Sequence, residues 1–99
     1  MTIVKNNEGE VATVKVEGRL DTMTAPELQG ALSEYPGEAR QLVFDFSSLE
    51  YISSAGLRVL LGMYKQMNSV GGGIQVVHAN AAVKDVFEMT GFSDIFAVS

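Results

Sequence analysis

The spacing of apolar positions changes period several times along the chain, and each change marks an element. Val11 to Glu17 (VATVKVE) alternates β-branched apolar residues with polar ones, the period of a half-buried strand. Ile3 to Lys5 predicts a short strand before it, with Asn6-Asn7-Glu8-Gly9 as the turn between the two. Gly18 is expected to end the second strand. Leu28, Ala31, Leu32 and Tyr35 then recur at helical spacing, and Pro36-Gly37 is a stop signal. The entry to this helix, T-A-P-E at Thr24 to Glu27, has the form of a capping box, with Thr24 as cap, Glu27 reaching back and proline in the first turn.

Leu42 to Phe46 (LVFDF) is nearly all apolar, which predicts a central strand covered on both faces. A turn follows it, and then Leu57, Leu60, Leu61, Tyr64 and Met63 or Met67 form the stripe of a second helix. Gly71-Gly72-Gly73 ends that helix, and Ile74 to Val77 reads as a fourth strand. Val83, Val86, Phe87 and Thr90 suit a shorter third helix, with Asn80 as its cap and Gly91 as its C′ residue. Ile95 to Val98 makes a fifth, edge strand. The order is ββαβαβα with that terminal strand, in which the β–α–β passages call for parallel neighbours and right-handed crossovers.

A chain of 99 residues suits one domain, residues 1–99, able to bury roughly 60–65% of its unfolded surface. Its 46% hydrophobic content rules out a disordered tail. Seven basic against twelve acidic residues give a net charge of −5, which argues against nucleic acid or an anionic membrane as the main partner. With no cysteine, packing alone must hold the fold. The sequence has no secretory h-region and no apolar run near the ~18–20 residues that span a bilayer, so a cytoplasmic domain is expected.

Candidate chemistry concentrates at the start of the second helix, I-S-S-A-G-L-R. Ser53 and Ser54 fall beside the free N–H groups of a helix N-terminus, where negative charge is favoured. Two roles fit a serine there. It can cap the helix, worth roughly 1 kcal/mol, or it can carry a phosphoryl group of about −1.5 to −2 charge, with Arg58 four residues on as countercharge. Asp45, and Asp21 from the loop before the first helix, are expected to gather at the same end of the sheet, beyond the carboxyl ends of the strands. The small-residue run S-S-A-G leaves the helix start open to close approach by another surface.

Other chemistry is poorly supported. A serine nucleophile needs a base, and His78, the one histidine, follows a different strand. I-S-S-A-G is not the G-x-S-x-G elbow. One histidine, no cysteine and dispersed carboxylates make no metal site, and Gly71-Gly72-Gly73 precedes a strand where a phosphate-binding loop would precede a helix. No catalytic residue and no cofactor are assigned. Met63, Met67 and Met89 are expected as core or groove filler.

Three segments carry a resemblance to a known family: G-R-L-D-x-x-T-A-P-E-L (Gly18 to Leu28), D-F-S-S-L-E-Y-I-S-S-A-G-L-R-V-L-L (Asp45 to Leu61) and N-A-A-V-K-D-V-F-E-M-T-G-F (Asn80 to Phe92). Together they resemble the STAS domain, in particular the small bacterial anti-sigma factor antagonists. The resemblance implies an α/β fold: a small mixed sheet of four to five strands with about three helices packed mainly on one side. This chain stops near Ser99, where many members carry a further helix. The resemblance also implies a partner switch. The unphosphorylated antagonist binds an anti-sigma factor that is also a serine kinase of the histidine-kinase-like ATPase fold, the kinase inactivates it by phosphorylating one serine, and a metal-dependent phosphatase reverses this. Aligned on Gly56-Leu57, the acceptor falls on Ser54; Ser53 stands where the family has aspartate, and Ala55 where it has a second hydroxyl residue. Asp21 matches an aspartate of the family's partner surface, which by this alignment takes in Asp21, Thr22, Ser53, Ser54, Gly56 and Arg58. A monomer is the expected state. The alternative is a STAS-fold interaction subunit of a transporter or signalling assembly, in which Ser54 is only a cap.

Overall fold

In a computed structural model, which describes residues 1–33 and 39–99, the chain order is β1 (Thr2–Glu8), β2 (Val11–Leu20), α1 (Ala25–Ala31), β3 (Gln41–Asp45), β4 (Leu49–Ile52), α2 (Ser54–Ser69), β5 (Gly73–Val77), α3 (Ala81–Met89), a 3-10 turn (Phe92–Asp94) and β6 (Ala97–Val98). The result is a mixed α/β fold. β1 lies antiparallel on β2, and β2, β3, β5 and β6 then follow in that order as parallel neighbours. Because the order advances in one direction, right-handed crossovers carry the helices to the same side of the sheet.

The alternation of β2 sets that side. Ala12, Val14 and Val16 are fully buried, with Leu42, Phe44 and Phe46 beside them and Ile74 and Val76 beyond. Leu28 of α1, Leu57, Leu60 and Met67 of α2 and Val83 and Phe87 of α3 complete the core. Phe96 ties the last segment down, edge-on to Phe87 at 5.9 Å and to Tyr64 at 5.7 Å.

Several expectations change here. The central strand is covered on one face only: Val43 and Asp45 of β3, with Thr13, Lys15 and Val77 beside them, are half-exposed. β1 runs to Glu8, so the turn narrows to Gly9-Glu10, with Gly9 at φ +61°. Gly18 does not end β2. At φ +99° it sits where the register shifts, and β2 then changes partner, from β3 over Val11–Lys15 to β4 over Gly18–Leu20. β4, read as turn in the sequence, raises the strand number to six among the described residues. Met63 and Met67 are in the core, but Met89 is 85% exposed on the outer side of α3. Tyr35, Pro36 and Gly37 lie outside the described residues.

Candidate functional site

Two loops meet at the C-terminal end of β2. Leu20 ends that strand, and its carbonyl accepts the Ser53 N–H at 2.9 Å, which ties the start of α2 to the loop that leads into α1. Asp21 and Thr22, the next residues of that loop, are thereby brought to the same end of β2 as the start of α2.

The α1 loop is internally closed. Asp21 Oδ1 accepts the N–H groups of Met23 (3.0 Å) and Thr24 (3.1 Å). The Thr24 hydroxyl accepts the Asp21 N–H (2.9 Å) and donates to the Arg19 carbonyl (2.8 Å). Thr24 is therefore spent on the loop and makes no side-chain cap bond to α1, so the predicted capping box does not form. The Thr24 N–H on its carboxylate, then those from Met23 and the hydroxyl, with Arg19 nearby, outweigh partial burial and hold Asp21 below its ordinary value of 3.8. Arg19 reaches Asp21 Oδ2 at 3.7 Å and lies over the Tyr51 ring at 4.7 Å. Met23, 84% exposed, forms the apolar tip of this loop. Arg19, Met23 and Tyr51 escaped the sequence reading. Tyr51 could not be placed because β4 went unread.

The start of α2 is different. Ser53 is its N-cap, with φ −105° and ψ 176°, and its carbonyl accepts the Leu57 N–H at 3.0 Å. Its side chain makes no cap bond; Oγ is buried and has no hydrogen-bond partner among the described residues. Ser54, the first helical residue, is exposed, and so is Arg58 one turn later. Gly56 faces inward. A Cβ there would lie 2.6 Å from Leu20 Cγ and 3.0 Å from Ile52 Cγ1. The close approach that this glycine allows is thus to the domain's own core, and its place is beneath the surface expected to include it.

Asp45 does not join the serines. Its register places it opposite Lys15 and Val77, on the sheet face away from Phe44 and Phe46. Burial works to raise its pKa, but the Ser47 N–H at 2.9 Å and the Ser47 hydroxyl, with His78 and Lys15 nearby, carry it below 3.8. His78 follows the end of β5 at φ +61°. Among the described residues no group of three or more metal-ligating side chains comes together, and no helix is long and apolar enough to cross a membrane.

From Thr22 and the start of α2 a groove of about 560 Å³ runs between α1 and α2. Ala25, Leu32, Val59 and Met63 give it apolar walls, and Arg58 stands at its side.

The family profile described as "Mlab, STAS domain" matches residues 3–97. A protein of Bordetella bronchiseptica named as an anti-sigma factor antagonist, BtrV, is 36% identical over 85% of this chain and 73% of its own length. The chain belongs to the STAS-domain family of anti-sigma factor antagonists. Within that family, the anti-sigma-B factor antagonist of Bacillus subtilis is 28% identical over 97% of this chain and 87% of its own. The crystal structure of an anti-sigma factor antagonist from Mycobacterium paratuberculosis superposes with a TM-score of 0.88 at 28% identity, over 98% of this STAS chain and 83% of that one.

Proposed function

We propose that this STAS-domain chain is an anti-sigma factor antagonist that works as a phosphorylation-controlled partner switch. Unmodified, it binds an anti-sigma factor that is also a serine kinase of the histidine-kinase-like ATPase fold; phosphorylated on Ser54, it is released; a metal-dependent phosphatase resets it. It acts as a single cytoplasmic domain and a monomer, by docking, with no catalysis of its own. The observation that carries this reading is the exposure of Ser54 at a helix start that no side chain caps. A phosphate there would meet unpaired N–H groups and the positive end of the α2 dipole, with Arg58 one turn away, so the domain tolerates it. Its cost falls on the complex, because a dianion forced against an acidic or desolvated partner surface can weaken binding by decades. Asp21, Thr22, Ser53, Ser54 and Arg58 form the proposed docking surface around that point, with Met23 as an added apolar contact. Gly56 supports it from below.

The test is intact-mass spectrometry after incubation with ATP and each anti-sigma kinase of the same genome. The expected result is a gain of one phosphate that Ser54→Ala abolishes, with Ser54→Asp folded but weakened in binding. Binding without any gain of phosphate would replace the switch by a constitutive interaction subunit. One observation favours that second reading: Ser53 stands where the family's acceptor is preceded by aspartate.

A further inference from the structure

The groove between α1 and α2 has the dimensions and chemistry of a seat for a helix. Its α2 wall is a stripe at helical spacing, Ala55, Arg58, Val59, Gly62 and Gln66, about 16 Å long. A third helix of two to three turns fits alongside α1 and α2 in that length. Gly62 marks the point of closest approach. It lies in the interior of α2, it is exposed, and a Cβ built on it meets no atom of the described residues within 4 Å. Glycine there costs the helix roughly 0.5–1 kcal/mol relative to alanine, and nothing in the domain's own packing requires it. Gly56, six residues earlier, shows the contrasting case, a glycine that the core does require.

Charge decides what kind of helix fits. In a chain of net charge −5, the described residues of the groove lining include no acidic residue and one charged residue, Arg58, which is exposed and has no ion pair among the described residues. We propose that this groove takes an amphipathic helix of the anti-sigma kinase, which lays aliphatic side chains against Ala55 and Val59 over a floor of Leu32 and Met63, a small residue against Gly62 and a carboxylate against Arg58. This rests on the partner-switch reading above and extends it to the control step. Ser54 and Arg58 are one turn apart on α2. A phosphate on Ser54 draws the Arg58 guanidinium to itself and takes the groove's one cation away from the partner's carboxylate. Release then follows from competition for one arginine as well as from direct repulsion.

The experiment measures binding of the full chain to each purified anti-sigma kinase of the same genome, by calorimetry at low and moderate salt, for wild type, Gly62→Leu and Arg58→Glu. Gly62→Leu projects into the groove from a helical position where an added Cβ meets no atom of the described residues within 4 Å, and leucine is the better helix former, so its thermal midpoint is expected at or above that of wild type. Its affinity is expected to fall by at least about tenfold. Arg58→Glu is expected to lose a similar factor, and its remaining binding should depend less on salt. Wild-type binding that Gly62→Leu leaves unchanged overturns the groove and spares the partner-switch reading. A wild type that binds none of these kinases overturns that reading and the groove assignment with it. A wild-type dimer that Gly62→Leu dissociates gives the groove to a second copy of this chain and overturns the proposal.

Discussion

α2 and α3 start in the same way and finish the job differently. Each has an N-cap residue with extended ψ, Ser53 at 176° and Asn80 at 172°. Asn80 Oδ1 accepts the Val83 N–H at 2.8 Å, and Nδ2 donates to the Leu49 carbonyl at 3.0 Å, so one side chain closes α3 and fastens it to β4. Ser53 does neither: its hydroxyl is buried without a partner among the described residues, and the first turn of α2 has no side-chain cap beside an exposed Ser54. A helix start built for stability is closed by its own side chain. A helix start that leaves donors unused forgoes that gain and remains open to a negative group from outside.

This contrast can be broken at several depths. The largest effect is expected at Gly56, where α2 rests on Leu20 and Ile52. Gly56→Val puts side-chain atoms into a space already filled, and a loss of about 2–3 kcal/mol in urea unfolding is expected. Asn80→Ala removes both the cap of α3 and the tie to β4 and should cost about 1–2 kcal/mol. Ser53→Ala sharpens the comparison most. If its hydroxyl caps nothing, stability should stay within about 0.5 kcal/mol of wild type or rise slightly, because an unsatisfied buried polar atom is removed. A loss equal to that of Asn80→Ala would show that the two starts are equivalent after all.

Acid supplies a further test, aimed at the closed α1 loop. Asp21 and Asp45 both lie below 3.8 in the folded protein. On acidification the unfolded chain takes up protons first, so their contribution is full above pH 3.8 and is lost as the pH falls through the folded-state values. Urea midpoints should therefore drop below about pH 4, and Asp21→Asn should flatten part of that drop.

The start of α3 was readable in the sequence because all its determinants are local: an Asn three residues before the N–H it receives, apolar residues at helical spacing, and a glycine at φ +79° to end it. The α1 capping box was misread for an equally definite reason. Thr24 and Glu27 have the right spacing, but Asp21 competes for the same turn, and its carboxylate takes the N–H groups of Met23 and Thr24 while the threonine hydroxyl turns back to Arg19. β4 was hidden in four residues, LEYI, whose burial pattern does not alternate and whose partner is the far end of β2. The candidate site was legible as a position, Ser53-Ser54 with Arg58 one turn on. The groove beside it was not, since half of its wall comes from α1 and the residues flanking it.

By itself, the sequence determined what depends on neighbours along the chain: the periodicity of β2, the stripe of α2, the Asn80 cap, the glycines that follow α2 and α3, and the family motifs. These follow from backbone geometry and side-chain spacing, which act over a few residues. Only the tertiary structure decided which sheet face is half-exposed, that Gly56 points inward while Gly62 is exposed, and that the Ser53 hydroxyl lacks a partner among the described residues while the Asp21 carboxylate has several. Hydrogen bonds reach about 3 Å and packing contacts about 4 Å, so satisfaction and burial are set by which loop comes to lie beside which helix.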